Sequence, residues 1–168
     1  MDIQSAIVFE TGGSPSTDSV PFQDLMLPVF RVQLVRETGI ERVELEGPED
    51  VAQIISHYLE YEDREHFVTM MLDVKNRVIG IHTVSIGTLN ASLVSAREVF
   101  KAAILCNAAS VILAHNHPSG DLTPSPEDLL VTETLAKAGA ILDIQVLDHV
   151  IVGEMGAHHS LKRSGQMP

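Results

Sequence analysis

Alternating and continuous apolar stretches predict the strands of this chain. The stretch Val29–Val35 alternates apolar and polar positions, as a half-buried strand does. The stretches His66–Asp73 and Arg77–Ile86 are predicted as two further strands, and only a short turn separates them. So short a connection indicates an antiparallel hairpin.

Helical periodicity and capping residues predict three helices. The first runs over Pro48–Tyr61, with its apolar residues on one face. The second begins at Ser95, whose side chain is expected to cap it, and Glu98 three residues later is expected to complete a capping box. The third runs over Ser125–Ala138, and Gly139 is predicted to end it as a C-cap residue.

The remaining strands decide the predicted fold class. Ser110–Ala114 is short and wholly apolar, which is typical of a buried strand, and Asp143–Val146 and His149–Val152 are predicted as the two last strands. Strands and three helices on one small sheet indicate a sandwich of helices and sheet. Because the hairpin argues against an all-parallel sheet, we predict an α+β fold with a single mixed β-sheet flanked by helices.

The composition is that of one globular domain. With 168 residues, 45% of them hydrophobic, the chain is long enough to bury a core of its own. Residues 1–28 mix Gly, Ser, Pro and acidic residues without a sustained period. We therefore expect a mobile N-terminal arm over residues 1–28 and a single domain over residues 29–168.

Two features of the sequence bear on the compartment. No run of about 18 apolar residues occurs, and the N-terminus is acidic where a signal peptide would be basic. The single cysteine, Cys106, has no partner for an internal disulfide, which suits a reducing compartment. We expect a cytoplasmic protein that has no membrane partner.

The net charge argues against nucleic acid as a partner. It is −12, and the chain has only 11 Lys and Arg residues. Binding to a phosphate backbone gains its affinity from counterions that clustered Lys and Arg release. DNA binding by this chain alone is therefore not expected.

The strongest chemical signal lies around His115 and His117, at the end of the predicted buried strand. Positions i and i+2 of a strand face the same way, so both imidazoles can reach one metal ion. Asp128, on the first turn of the next helix, can be folded back by the intervening Gly and Pro loop. Two histidines and one carboxylate leave a fourth tetrahedral position open, as in catalytic zinc sites.

The two histidines also have a plainer interpretation. A lone H-x-H on a strand is more often a solvated or core pair than a metal site. The Gly and Pro loop and the downstream Ser125-x-x-Asp128 favour the metal site here. Because Cys106 is the only cysteine, the ligands must be histidines and carboxylates.

These residues resemble those of a known family. H-x-H, seven residues and S-x-x-D form the signature of the JAMM (MPN+) metalloproteases, and the segment from His115 to Asp128 matches it without a gap. Five segments, two of which lie within that match, look like the RadC branch, and the resemblance covers about residues 29–165. They are IGTLN, REVFKAA, HNHPSG, TPSPED and LDH.

The resemblance implies an architecture and an activity. It implies the cytidine-deaminase-like JAB/MPN architecture, with zinc held by His115, His117 and Asp128. It also implies a metallopeptidase or isopeptidase, in which zinc-activated water attacks an amide carbonyl. The expected substrate is a peptide or a protein conjugate.

The resemblance also suggests a general base. In the family a Glu at the start of the strand after the first helix holds the water, and the matching residue is Glu65. Without the resemblance, Glu65 would be taken as one of several solvated acidic residues in a charged turn. Glu98 is the runner-up as base, although its expected place in a capping box explains it without catalysis.

Ser125 has two interpretations. It is a natural N-cap, with Asp128 in the capping box, and in the family the matching serine donates a hydrogen bond to the oxyanion. Asp148 and His149 lie outside the family's ligand set, so we expect them to support the ligands or to form a buried polar pair. The other histidines are interpreted as surface or packing residues, and Cys106 as a core thiol. These histidines are His57, His66, His82, His158 and His159.

A non-catalytic MPN-type binding module or a DNA-repair accessory remains the alternative. The RadC name comes from DNA repair, and many members carry a helix-hairpin-helix region ahead of the metal domain, for which residues 1–28 are too short. Purely structural members commonly lose metal ligands, whereas this chain keeps them all. We therefore favour the enzyme.

Overall fold

The computed structural model describes residues 43–60, 62–87 and 94–168. The expected arm over residues 1–28 and the predicted strand Val29–Val35 lie outside these ranges. Within them, three α-helices, one short 3₁₀ helix and five strands confirm the α+β class. None of these helices is long and apolar enough to cross a bilayer. In chain order the elements are α1 (Pro48–Tyr58), β1 (His66–Leu72), β2 (Val78–Ile86), α2 (Ala96–Leu105), β3 (Ser110–Asn116), α3 (Pro126–Leu142), β4 (Gln145–Val152), the 3₁₀ helix Glu154–Gly156 and β5 (His158–Ser160).

The five strands form one mixed sheet in the order β2-β1-β3-β4-β5. β1 and β2 form the predicted antiparallel hairpin. β1 also pairs antiparallel with β3, whereas β3 and β4 are parallel and are connected through α3. β1 and β3 are central strands, so the end of β3 lies in the middle of the sheet.

Helices cover both faces of the sheet. α1 packs Val51 and Ile55 against one face, which includes Ile112 of β3. α2 and α3 pack against the other face, where Phe67 and Leu113 lie. Because successive residues of a strand face opposite sides, every second residue of β3 after Leu113 points toward α2 and α3.

The ends of β3 and α1 differ from the predicted ends. β3 continues to Asn116, two residues past its predicted end, so His115 is part of the strand. α1 ends at Tyr58, because Leu59 adopts a non-helical conformation (φ −106°, ψ 17°). A turn follows, in which the backbone N–H of Glu62 donates to the carbonyl of Leu59.

The prediction of two strands at Asp143–Val146 and His149–Val152 is wrong, since β4 is a single strand. Val111 of β3 pairs with Val146, but its neighbour Ile112 pairs with Asp148. The extra residue on β4 makes a β-bulge, which breaks the alternation of apolar and polar positions without ending the strand.

Gly139 is not a C-cap residue, because α3 continues to Leu142 and Asp143 ends it in the left-handed conformation (φ 58°). The glycine instead allows two neighbouring groups to lie close to the backbone of α3. A Cβ atom at Gly139 would lie 2.4 Å from the carbonyl oxygen of Ile144 and 3.0 Å from the ring of Phe100. The position therefore has no room for a methyl group.

Replacing Gly139 by Ala is expected to lower the free energy of unfolding by about 1–3 kcal/mol, the usual cost of overpacking. Urea denaturation followed by circular dichroism measures the change. Ala140→Leu on the exposed side of the same helix is the control, and it should change the free energy by less than about 0.5 kcal/mol. Equal effects of the two substitutions would contradict the packing role.

The capping box expected for α2 forms only in part. The Oγ atom of Ser95 accepts a hydrogen bond from the backbone N–H of Glu98, as predicted. The carboxylate of Glu98 does not accept the second hydrogen bond of the box, from the backbone N–H of Ser95. It accepts a hydrogen bond from Lys101 at 2.5 Å instead. An ammonium group on the next turn of the helix is the stronger partner for this carboxylate.

Candidate metal centre

The end of β3 brings the two predicted histidine ligands together. His115 lies in the strand and is fully buried, and His117 follows directly after its end. Both lie on the face that packs against α2 and α3, and their Nε2 atoms are 2.9 Å apart. The ring of Phe67 lies nearly parallel to that of His115, at an interplanar angle of 13°. The H-x-H spacing thus places both imidazoles as predicted.

Asp128 is held by the N-terminus of α3. Ser125 is the N-cap residue, and its Oγ accepts a hydrogen bond from the backbone N–H of Asp128 at 3.1 Å. In return Oδ2 of Asp128 accepts from the backbone N–H and from the hydroxyl of Ser125, both at 2.7 Å. The predicted capping box is confirmed, and it leaves Oδ1 of Asp128 pointing to the histidines.

The loop between the histidines and α3 is folded by its own hydrogen bonds. The N–H of Gly120 donates to the carbonyl of His117 at 2.9 Å, which closes a turn. The Nδ1 atom of His117 contacts the carbonyl oxygen of Asp121, and a carbonyl can only accept, so Nδ1 carries the proton. The Nε2 atom of His117 therefore presents a lone pair to the cluster.

Glu65 completes the cluster. One ligand atom from each of Glu65, His115, His117 and Asp128 lies within 4.8 Å of the other three, and these four residues are the group that could hold a metal ion within the described ranges. Glu65 lies two residues ahead of Phe67, which pairs with His115, so strand geometry accounts for its place.

Asn116, between the two histidines, holds the backbone on both sides of Glu65. Its side-chain oxygen accepts from the N–H of His66 at 2.7 Å, and its side-chain nitrogen donates to the carbonyl of Arg64 at 2.9 Å. The carbonyl of Glu65 itself accepts from the N–H of Gly87 at 2.8 Å. The position of Glu65 is thus tied to the strand that carries the histidines.

The donor set fits a zinc ion. Oδ1 of Asp128 is buried and accepts no hydrogen bond from any described residue, although it lies 3.4 Å from Nε2 of His115. Nε2 of His117 is 3.7 Å from Oδ2 of the same carboxylate. Tetrahedral ligands about 2.0–2.1 Å from zinc lie about 3.3 Å from one another. The 2.9 Å between the two Nε2 atoms and the 3.4 Å from Nε2 of His115 to Oδ1 of Asp128 bracket that value.

The electrostatics of the site favour a cation. Burial raises the pKa of the Asp128 carboxyl, but contact with His115 and hydrogen bonds from Ser125 outweigh it and hold the pKa well below its ordinary value. Burial lowers the pKa of His149 well below its ordinary value, and the neighbouring His115 adds to this. At neutral pH the centre therefore combines a carboxylate with a neutral His149.

An open cleft of about 670 Å³ adjoins the cluster, and His117 and Asn116 lie on its wall. The end of α1 and the 3₁₀ helix Glu154–Gly156 form its sides. Among the residues that the structure describes, its lining includes four carboxylate side chains and neither Lys nor Arg. The four are Glu60, Glu62, Asp63 and Glu154.

His149 is at the cluster and Asp148 is not. His149 is fully buried, and its Nε2 atom lies 2.8 Å from Nδ1 of His115, in the supporting position expected from the sequence. Asp148 faces the opposite side of the sheet, where it accepts hydrogen bonds from Ser160 and from the backbone of Lys162. The expected polar pair therefore does not form between the two side chains.

The other candidates named from the sequence lie outside the four-residue cluster. Glu98 is on α2 and pairs with Lys101. Cys106 is the half-buried C-cap residue of α2 and packs against the core. The remaining histidines take no part in the cluster, as expected, although His66 is buried. They are His57, His66, His82, His158 and His159.

The sequence reasoning missed Thr132 and Asn116. Thr132 is fully buried on α3, and its Oγ1 atom lies 2.6 Å from Nδ1 of His149. Its place four residues after Asp128 was the available signal, since residues i and i+4 share a helix face. Asn116 could have been suspected because it lies between two ligands on a strand.

Comparisons with known proteins identify a family. The RadC-like JAB domain profile matches residues 45–166. A UPF0758 protein of Caldanaerobacter subterraneus subsp. tengcongensis is 53% identical over 133 residues, which cover 79% of this chain and 57% of the relative. The chain belongs to the RadC family. The resemblance seen in the sequence motifs is confirmed, and the mixed sheet with its helices is consistent with the JAB/MPN fold.

Two further relatives of this RadC-family chain give the same result. A UPF0758 protein of Moorella thermoacetica is 53% identical over 123 residues, covering 73% of this chain and 53% of the relative. A UPF0758 protein of Rubrobacter xylanophilus is 50% identical over 137 residues, covering 82% and 59%. The chain thus spans under three fifths of the length of these relatives.

Proposed function

We propose that this RadC-family chain is a cytoplasmic zinc-dependent metallopeptidase or isopeptidase that acts on a peptide or a protein conjugate. The observation that carries the proposal is the cluster of Glu65, His115, His117 and Asp128 around one point. Three of these residues supply the nitrogen and oxygen ligands of a catalytic zinc site. The fourth is a carboxylate that remains for proton transfer.

Zinc is proposed because of the donor atoms. Two imidazole nitrogens and one carboxylate oxygen are the set that zinc hydrolases use, and the chain offers no thiolate there. When bound, zinc lowers the pKa of water to about 7 and polarises a carbonyl oxygen. The chain's own residues must supply proton transfer, orientation and a place for the substrate.

Glu65 is proposed as the general base. Its carboxylate takes a proton from water while the water oxygen forms a bond to the amide carbon, and it then gives that proton to the leaving amine as the C–N bond breaks. The two hydrogen bonds from the side chain of Asn116 hold the backbone on either side of Glu65, and so keep that backbone at a fixed distance from the ligands. One carboxylate therefore serves both proton transfers.

Ser125 is proposed to donate a hydrogen bond to the developing oxyanion. Its hydroxyl now donates to Oδ2 of Asp128 at 2.7 Å, so the hydroxyl must turn away from Asp128 in the reaction. Oδ2 keeps the hydrogen bond from the backbone N–H of Ser125 meanwhile, so the carboxylate stays in place.

The change Ser125→Ala is expected to lower kcat by about 10²- to 10³-fold at saturating zinc, as loss of one oxyanion donor does. The lost N-cap is expected to lower the free energy of unfolding by about 1 kcal/mol. Steady-state kinetics and urea denaturation measure the two effects. Ser125→Thr keeps the hydroxyl and should retain most of the activity. If kcat falls only in proportion to the loss of bound zinc, Ser125 acts as the N-cap residue and not as an oxyanion donor.

DNA binding tests the alternative function, a DNA-repair accessory, and we expect this chain to bind DNA only weakly. The net charge is −12, and the cleft beside the cluster is lined by carboxylates that repel phosphate. Fluorescence anisotropy with a labelled duplex should give a dissociation constant above about 1 μM at physiological salt. Submicromolar binding at that salt concentration would favour the DNA-repair alternative instead.

Hydrolysis of defined amides tests the proposal. Zinc-loaded protein is incubated with matched substrates, one joined through a lysine side-chain amide and one through a main-chain amide. Cleavage of either substrate that a chelator stops and zinc restores would support the proposal. Zinc-loaded, folded protein that cleaves neither would favour the non-catalytic binding module.

A further inference from the structure

A chain of buried polar groups runs behind the metal centre. Nδ1 of His115 lies 2.8 Å from Nε2 of His149, and Nδ1 of His149 lies 2.6 Å from Oγ1 of Thr132. Oγ1 of Thr132 lies 2.6 Å from the carbonyl oxygen of Asp128. All four residues are at most 1% exposed, so water does not compete for these contacts.

The carbonyl at the end of this chain sets the direction of every hydrogen bond in it. A carbonyl only accepts, so the single hydroxyl proton of Thr132 goes to Asp128. Oγ1 of Thr132 then accepts the proton on Nδ1 of His149. A neutral imidazole carries one proton, so Nε2 of His149 accepts from Nδ1 of His115. Nε2, the remaining nitrogen of His115, therefore carries a lone pair and no proton.

The opposite direction is disfavoured by the same geometry. If Thr132 donated to His149, its oxygen would face the carbonyl of Asp128 across 2.6 Å with no proton between two acceptors. Buried acceptors that lose their hydrogen bond cost about 1–3 kcal/mol. His115 would also carry its proton on Nε2, which would block that atom as a ligand. The proposed direction leaves the lone pairs of Nε2 of His115 and Nε2 of His117 facing each other across 2.9 Å. A cation would lie between them, and without one the partly exposed His117 can turn toward water, whereas the buried carbonyl of Asp128 cannot.

We propose that His149 and Thr132 are positioning residues that fix the tautomer of His115, with the proton on Nδ1 and the lone pair of Nε2 toward the cluster. The proposal rests on the proposed metal site. Because the chain of hydrogen bonds ends on the backbone of Asp128, it also ties one ligand to another through α3. Neither positioning residue belongs to the four-residue cluster.

Thr134 provides a matched control for Thr132. Its hydroxyl donates to the carbonyl of Leu130, four residues earlier, at 2.8 Å. Thr132 makes the equivalent bond to Asp128 on the same helix, but Thr134 is exposed and makes no hydrogen bond to any of the described histidines. Thr134→Val therefore removes the same kind of local hydrogen bond without changing the hydrogen bonds that link His115, His149 and Thr132.

The test reads the tautomers of ¹⁵N-labelled histidines in the metal-free full chain by long-range ¹H–¹⁵N correlation. His115 should carry its proton on Nδ1 in the unaltered protein. Thr132→Val leaves Nδ1 of His149 without an acceptor, so the His149 proton should move to Nε2 and that of His115 to Nε2. Zinc affinity, measured by competition with a chelator, should fall about 10- to 100-fold.

Thr132→Ser should retain both the tautomer and the affinity, and Thr134→Val should change neither. A proton on Nε2 of His115 in the unaltered protein would overturn the proposal, even if Thr132→Val failed to fold. A folded Thr132→Val protein with unchanged tautomer and zinc affinity would overturn it as well. Because no substrate is present, failure of the hydrolysis assay leaves this test intact.

Discussion

Replacing Glu65 by Gln is expected to leave one zinc per chain in place and to lower kcat by about 10²- to 10⁴-fold. Glutamine keeps the shape of the side chain but cannot accept a proton from water. Zinc stays because His115, His117 and Asp128 are unchanged. Metal analysis and steady-state kinetics on the same preparation measure the two quantities.

Glu98→Gln is the control for Glu65→Gln. Glu98 is the other carboxylate considered as a base, and it pairs with Lys101 outside the cluster. Its replacement should leave kcat within about twofold, since it changes no group at the site. Undiminished activity of Glu65→Gln together with a loss in Glu98→Gln would reverse the two assignments.

Loss of zinc is the expected result of removing any of the three ligands. His115→Ala, His117→Ala and Asp128→Ala should each bring the zinc content after chelator dialysis from about one per chain to near zero. Each change removes an atom that would bind the ion directly, and binding free energies of about 10 kcal/mol or more depend on the full set. Metal analysis with circular dichroism as a check of folding measures this.

The three ligand variants differ in their risk of unfolding. His117 is only partly buried, so His117→Ala is the variant that should fold most readily. His57→Ala is the control, because His57 is largely exposed and outside the cluster, and it should retain zinc. Full zinc retention in a folded His117→Ala protein would contradict the ligand assignment.

Local patterns predicted the parts of the site that lie on one element. The spacing of His115 and His117 required only strand alternation, and the place of Asp128 required only a capping box with Ser125. Both patterns depend on contacts within a few residues, so the sequence contains the information directly. Glu65 needed the family resemblance, because its turn contains other acidic residues and β1 meets β3 only in the folded sheet.

The misjudged parts depend on contacts between distant elements. The bulge in β4 depends on the pairing of β4 with β3, and in the sequence alone it suggests the end of a strand. Gly139 suggests a helix end until the ring of Phe100 is placed beside it. Thr132 is an ordinary helix residue until β4 places His149 against it. These features require the fold before they can be recognised.

The proposed function requires that Glu65, His115, His117 and Asp128 surround one zinc ion. Anomalous diffraction from a crystal of the zinc-loaded chain, recorded on both sides of the zinc absorption edge, tests it most directly. We expect one strong anomalous peak among Nε2 of His115, Nε2 of His117 and Oδ1 of Asp128, with Glu65 beside it but not bound to it. A zinc peak elsewhere on the chain, with none among these atoms, would contradict the proposed zinc site.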